Sequence, residues 1–224
     1  MISAALGLAM SSNQVEPGTL FLVGGGETPD SVADAFLETV GRDKLIIVFG
    51  QVREEPVNAN SSRDWLIEKG AKFVVLMDFD SVTDLHRSAT EKLLTQAGGI
   101  WIPGGDQNLM VERWGEDWAA KHLGDAVKRG ASYFGTSAGA MLASGTMIAG
   151  PGPEPGTALY RKGLGLTPFM VESHMRERNR QARLKFAMEK TGVTKAIGLS
   201  EGEWVRVKGD QVTTGEGDPL VIKG

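Results

Sequence analysis

The sequence predicts an α/β fold, a mainly parallel sheet flanked by helices with antiparallel strands at its C-terminal edge. Short apolar runs recur through the first half of the chain and mostly end at glycine. Helix start signals fall between them, and the tail changes to brief runs separated by turn residues. This alternation is the signature of βαβ units, which place ligands at the C-terminal ends of the strands.

The runs in order are Leu20–Val23 before Gly24-Gly25-Gly26, Lys44–Phe49 before Gly50, and Phe73–Met77 before Asp78. Ile100–Ile102 before Pro103-Gly104-Gly105 and Ala131–Phe134 before Gly135 complete the set. Runs that are apolar throughout, rather than alternating, suit strands covered on both faces. Thr28-Pro29-Asp30 offers a cap residue, a first-turn proline and an acid ahead of Ala33–Val40, and Asn60-Ser61-Ser62 precedes Trp65–Lys69. Beyond about residue 145, Ala149–Gly156 reads as a Pro/Gly loop and Met175–Lys190 as a charged helix. Phe169–Val171 and Ala196–Leu199 are strand-like, and Lys208-Gly209-Asp210 and Gly215-Glu216-Gly217 are hairpin turns on the sheet's edge. With no internal repeat or long linker, residues 1–18 are expected to form a flexible N-terminal tail and 19–224 a single α/β domain.

Composition narrows the function. A net charge of −4 disfavours nucleic acid and anionic membrane as partners. No apolar run approaches the ~20 residues of a membrane span. Met1–Ser12 has no Lys or Arg and makes a poor signal peptide, so a tail and a cytoplasmic location are expected, with the remnant of a trimmed signal peptide and secretion as the alternative. Zero cysteine excludes disulfides, thiolate metal sites and thiol nucleophiles, and only three histidines argue against a histidine-rich metal site. Neither a metal nor a cofactor is expected. Assembly as a homodimer stays open.

Gly135-Thr136-Ser137-Ala138-Gly139 is a G-x-S-x-G element between a strand and an apparent helix, Ala138–Ala143. A serine in so sharp a turn projects its hydroxyl from the sheet top, and its neighbours must be small. The Ala138 amide would then face a developing oxyanion, with a second donor from the glycines at Gly104-Gly105. Of the histidines, His86 and His122 lie in polar helical stretches, whereas His174 follows a strand and reaches the same rim as Ser137. Glu172, Glu201 and Glu203 are candidates to orient it. Glu201 follows Ala196–Leu199 onto that rim, while Glu172 is only two residues from His174. An α/β-hydrolase would need a histidine near the C-terminus and a patatin-like lipase an Asp-Gly turn, and the chain has neither.

Two further segments suggest substrate contacts. Glu172–Leu184 holds four arginines in eight residues, and on a helix Arg176, Arg180 and Arg183 would share a stripe with Arg178 opposite. Guanidinium forks suit substrate carboxylates, so Arg180 or Arg183 is expected to pair with one. In Pro103–Leu109, Gln107 offers a donor and an acceptor to a substrate amide, and Asp106 is either a site residue or a helix cap.

With these pieces in order, the sequence resembles the serine peptidase family of cyanophycinases and aspartyl dipeptidases. The shared elements are Gly24-Gly25-Gly26, Gly104-Gly105-Asp106-Gln107, Gly135–Ala140, His174 with Arg178, Arg180, Arg183 and Leu184, and Ala196–Glu201. The His174 block is closer to the cyanophycinases. The resemblance implies a class I glutamine amidotransferase-like (flavodoxin-like) fold with serine as nucleophile, and a triad of Ser137, His174 and Glu201. It implies Gln107, Arg178, Arg180 and Arg183 near the substrate; beside them the Gly105 and Ala138 amides are expected to form the oxyanion hole and Glu172 to meet a basic side chain such as arginine. That substrate would be an aspartate-containing peptide, either the β-Asp-Arg polymer cyanophycin or β-aspartyl peptides. An α-aspartyl dipeptidase, an esterase and a non-catalytic binding protein on the same fold are the alternatives. Glu172-Ser173 stands where cyanophycinases carry Asp-Gln, and Ser200 where an Asp is usual.

Overall fold

Five parallel strands form the body of the main sheet: β1 (Leu20–Val23), β2 (Leu45–Phe49), β3 (Phe73–Met77), β4 (Ala97–Ile102) and β5 (Ser132–Thr136). The structure is a computed structural model that describes residues 15–50, 57–79 and 81–224. The antiparallel pair β10 (Trp204–Lys208) and β11 (Gln211–Glu216) completes the sheet in the order β11-β10-β1-β5-β4-β2-β3. Each parallel strand falls on one of the apolar runs, because each is covered twice. Leu20 and Leu22 enter one core layer and Phe21 and Val23 the other, and Ile47/Phe49 and Ile46/Val48 divide the same way.

The first layer is closed by α4 (Gln107–Trp114) and α5 (Glu116–Lys128) through Met110, Trp114 and Leu123. The second is closed by α1 (Asp30–Val40) through Val32, Phe36 and Leu37, with Leu66 from α2 (Val57–Glu68). Helix α1 starts with Pro29 at its N-cap, and α2 begins ahead of the Asn60-Ser61-Ser62 expected to start it. Helix α3 (Asp84–Leu94) is capped by Thr83, and the His86 ring stacks on Phe79 with centroids 4.0 Å apart. His122 lies 3.4 Å from Glu91. Neither histidine lines the cleft described below.

The C-terminal part departs from expectation in three places. The Pro/Gly segment is mostly a hairpin of β6 (Thr146–Pro151) and β7 (Ala158–Lys162). A second sheet, β12-β9-β8, joins β8 (Met170–Glu172) in parallel to β9 (Ala196–Gly198), with β12 (Leu220–Ile222) antiparallel at its edge. Only the first of the two expected turns therefore serves the main sheet's edge. The charged helix α7 (Gln181–Thr191) starts later than expected, because His174 and Asn179 both sit at φ 48, outside the helical region, and it ends at Gly192 in the left-handed conformation. Of the expected tail, residues 1–14 lie outside the described residues. Residues 15–18 run along the body, where the Gly18 amide donates to the Val127 carbonyl at 2.8 Å. Among the described residues, no helix is long and apolar enough to cross a membrane.

Candidate active site

Strands β1, β5 and β4 are neighbours in register, Val23 against Thr136 and Ile102 against Gly135, so the turns that follow them meet at one end of the sheet. The turn after β5 is closed by contact. A Cβ added at Gly139 would lie 1.8 Å from the Ile102 carbonyl oxygen, and one at Gly135 would lie 2.6 Å from that of Gly139. The Tyr133 hydroxyl donates to the Gly139 carbonyl at 2.6 Å and pins the start of α6 (Ala138–Leu142). Ser137 takes up the strain of this reversal at φ 52, ψ −108, a conformation that persists only where the surroundings enforce it. Its amide donates to the Val23 carbonyl and its own carbonyl accepts from Met141.

His174 and Glu201 arrive from the second sheet, just beyond β8 and β9. Ser137 Oγ is 2.8 Å from His174 Nε2, and His174 Nδ1 is 2.6 Å from Glu201 Oε1. With the proton on Nδ1 donated to Glu201, Nε2 is left to accept from the serine hydroxyl. His174 is 7% exposed, while the Glu201 side chain is 42% exposed. The structure thus brings together the serine, histidine and glutamate that the sequence singles out. Glu203 serves elsewhere, accepting from the Ser200 amide, the Asp218 amide and Arg176.

The floor beneath this line is the glycine turn after β1, where the sequence predicts only a turn at the sheet top. A Cβ added at Gly25 would lie 2.4 Å from His174 Cε1, and one at Gly26 would lie 2.8 Å from Glu201 Cβ. The Gly24 carbonyl accepts from the His174 amide and the Gly25 carbonyl from Gly202. Three consecutive glycines after a strand were the available signal, since close backbone approach is one of the few needs that call for them.

An open cleft of about 1130 Å³ spreads from Ser137 across the sheet end. Gly104, Gly105 and Arg178 line it, with Trp65 and Trp101 on the far side. The Arg178 guanidinium is exposed, and no carboxylate pairs with it among the described residues. The rim carries five carboxylates. Asp30 and Asp64 pair with Lys69 and Arg63, and Asp106 caps α4 by accepting from the Asn108 amide. Glu27 and Glu68 have no ion pair among the described residues.

Other expected substrate groups are placed differently. The Gln107 Nε2 donates to the Ile148 carbonyl at 2.7 Å, inside the protein. Glu172 is fully buried and meets basic side chains of its own chain. Arg183 grips it with two bonds of 2.8 Å, Arg180 Nη1 donates at 3.1 Å and the Ser173 amide at 3.0 Å. The helical stripe does not form, because Arg176 and Arg180 precede α7. Burial pulls the Arg180 guanidinium below its usual range, and the charge of Glu172 opposes that pull. Among the described residues, no three His, Asp or Glu side chains gather to hold a metal ion.

The fold is α/β, with Ser137, His174 and Glu201 in contact at the end of its main sheet. The chain belongs to peptidase family S51, which it matches over residues 20–215. It is 27% identical to a cyanophycinase of Geminocystis herdmanii over 193 residues, 82% of this chain and 71% of that protein. It is also 28% identical over 134 residues to peptidase E of Streptomyces coelicolor, spanning 54% of each chain. Two solved structures share the fold. A peptidase from an acI-B1 Actinobacterium superposes with a TM-score of 0.70 at 17% identity, covering 94% of this chain and 93% of that one. A putative peptidase E of Listeria monocytogenes gives 0.64 at 18% identity, with 88% and 98% covered.

Proposed function

We propose that the protein is a serine-type peptidase that hydrolyses aspartyl peptide bonds in the manner of a cyanophycinase. The observation that carries the reading is the unbroken line of short contacts from Ser137 Oγ through the His174 ring to Glu201. His174 Nε2 takes the serine proton as Oγ attacks the carbonyl carbon, then returns it to the leaving amine. Glu201 holds the imidazole and balances its charge. The amides of Ala138 and Gly105 receive the oxyanion, and water releases the acyl group by the same steps in reverse order.

Arg178 is the group to read a carboxylate of the aspartyl unit. It is exposed in the cleft and close in sequence to His174, whereas Arg180 and Arg183 are engaged with Glu172. Glu27 and Glu68 replace Glu172 as partners for a basic side chain on the substrate. Both the polymer and β-aspartyl dipeptides meet these requirements.

Hydrolysis of β-Asp-Arg, β-Asp-Lys, β-Asp-Leu and α-Asp-Leu, with labelling by a fluorophosphonate, tests the reading. Wild type is expected to prefer β-Asp-Arg and to be labelled at Ser137, and Ser137→Ala to lose both properties while keeping its melting temperature. Ser137→Ala that cleaves at the wild-type rate refutes the nucleophile, and absence of labelling in the folded wild type points to a binding protein. Preference for α-Asp-Leu would move the protein to the dipeptidases, and preference for a nitrophenyl ester to the esterases.

A further inference from the structure

The buried charges around Glu172 have no part in the reaction just described, yet they bracket the residue on which it turns. Glu172 ends β8, and its carbonyl accepts from Leu199 at 2.9 Å, two residues before Glu201. Its side chain, wholly out of solvent, takes both bonds of the Arg183 fork. Arg180 Nη1 reaches the same carboxylate and also the Ser173 carbonyl at 3.1 Å. The Ser173 hydroxyl donates to Met141 Sδ on α6, the helix that Ser137 opens. Both ends of the stretch from Ser173 to Arg180 are therefore fastened to one carboxylate, and within that stretch lie His174 and Arg178.

The stretch needs fastening. His174 and Asn179 sit at φ 48, a left-handed conformation that a histidine adopts only where its surroundings enforce it. Left free, the backbone would relax toward ordinary angles and carry the imidazole away from Ser137. Two guanidiniums on one carboxylate also leave the cluster with one surplus positive charge. A substrate carboxylate could in principle answer that surplus, so a positioning role and a substrate-binding role make different forecasts.

We propose that Glu172, Arg180 and Arg183 form a positioning cluster that holds the His174 backbone in its left-handed turn, setting the rate of acyl transfer rather than the affinity for substrate. This rests on Ser137 and His174 acting as proposed above. In Glu172→Gln, one acceptor oxygen becomes an NH2 facing the guanidinium donors. The expected result is a kcat roughly 10- to 100-fold lower, as for a misplacement near 1 Å, a fall larger than any rise in KM for β-Asp-Arg that follows from Arg178 lying in the same stretch. Labelling by the fluorophosphonate, which carries no aspartyl group, is expected to slow by the same factor.

The paired variant Glu172→Met/Arg183→Met separates positioning from recognition, because a buried ion pair can often be replaced by apolar groups of similar volume. It retains the single surplus charge of the cluster and is expected to recover labelling to within about threefold of wild type. Arg183→Lys, which keeps the charge and loses the fork, carries the test alone if the others do not fold, and is expected to lower kcat by more than it raises KM. Arg87→Ala serves as a control for simple destabilisation. Its guanidinium holds the Trp114 carbonyl in another part of the molecule, so its melting temperature should fall and its labelling rate should not. The proposal is overturned if Glu172→Gln or Arg183→Lys raises KM at unchanged kcat, or if Glu172→Gln labels at the wild-type rate. It is also overturned if the folded paired variant labels no faster than Glu172→Gln. If wild type itself is not labelled, the reading of Ser137 fails instead.

Discussion

Two regions position the imidazole of His174, and they do it by opposite means. Below the ring, Gly24-Gly25-Gly26 and the turn through Ser137 work by having nothing in the way, with backbone packed against the groups it supports. Beside the ring, Glu172, Arg180 and Arg183 work by a surplus of side chain, with every oxygen of one carboxylate taken. The first region is intolerant of an added atom. The second is intolerant of a removed bond.

Gly139→Ala is the severest test of the first half of that contrast. The new Cβ would meet the Ile102 carbonyl at 1.8 Å, where no flexible side chain can yield. A cost of about 3 kcal/mol or more is expected, or roughly 6–12 °C in melting temperature at 2–4 °C per kcal/mol. A wild-type melt would show that the close approach of β4 and α6 is not what this glycine serves. Gly25→Ala should be gentler on the fold and harsh on the reaction. Its Cβ would sit 2.4 Å from the ring it supports, and a loss of about 100-fold in kcat is expected. If steady-state kinetics return the wild-type kcat, the turn is not the floor of the site.

Arg178→Ala probes the charged region where it faces the cleft. Removing an exposed group that reads the substrate should raise KM for β-Asp-Arg roughly tenfold and leave kcat near wild type, the pattern of lost uniform binding. A fall in kcat alone would place Arg178 with the positioning cluster. The smallest effect belongs to Asp117, whose carboxyl is held below its ordinary value by a hydrogen bond from Lys162 on β7. A lowered folded-state value gives stability that is present above about pH 3.9 and fades as the pH falls through the folded value. The pair is exposed, so Asp117→Asn is expected to change neither kinetics nor the melting temperature at pH 7 measurably. A clear fall in melting temperature would mean that exposed charge also builds this fold.

The contrast also explains what the sequence disclosed. Backbone crowding leaves a local record, so the five parallel strands, the G-x-S-x-G turn and the glycines after β1 could all be located in the chain. His174 followed from elimination, and Glu201 from its place after β9. Charge leaves an ambiguous record. Four arginines in eight residues read equally as a helix face, a substrate clamp or an internal cluster, and only burial tells them apart. The helix expected from Met175 fails for the same reason. Its charged residues have good helix propensity, but His174 and Asn179 take left-handed angles, and the His174 amide is held by the Gly24 carbonyl rather than by a helical turn. Gln107 shows the limit in miniature, since nothing near it in sequence announces the Ile148 carbonyl it serves.

Ser137 rides on the large sheet, while His174 and Glu201 ride on the small one. On the proposed reading this division orders events during synthesis on the ribosome. The half carrying the nucleophile emerges first, and N-terminal portions of a chain generally begin folding before the rest is made. Until the segments carrying His174 and Glu201 have been threaded out and docked, that serine has neither base nor acid beside it. A nascent molecule would carry a finished strand–turn–helix and still be inert toward the peptides around it. Its chemistry would switch on only once the small sheet has docked.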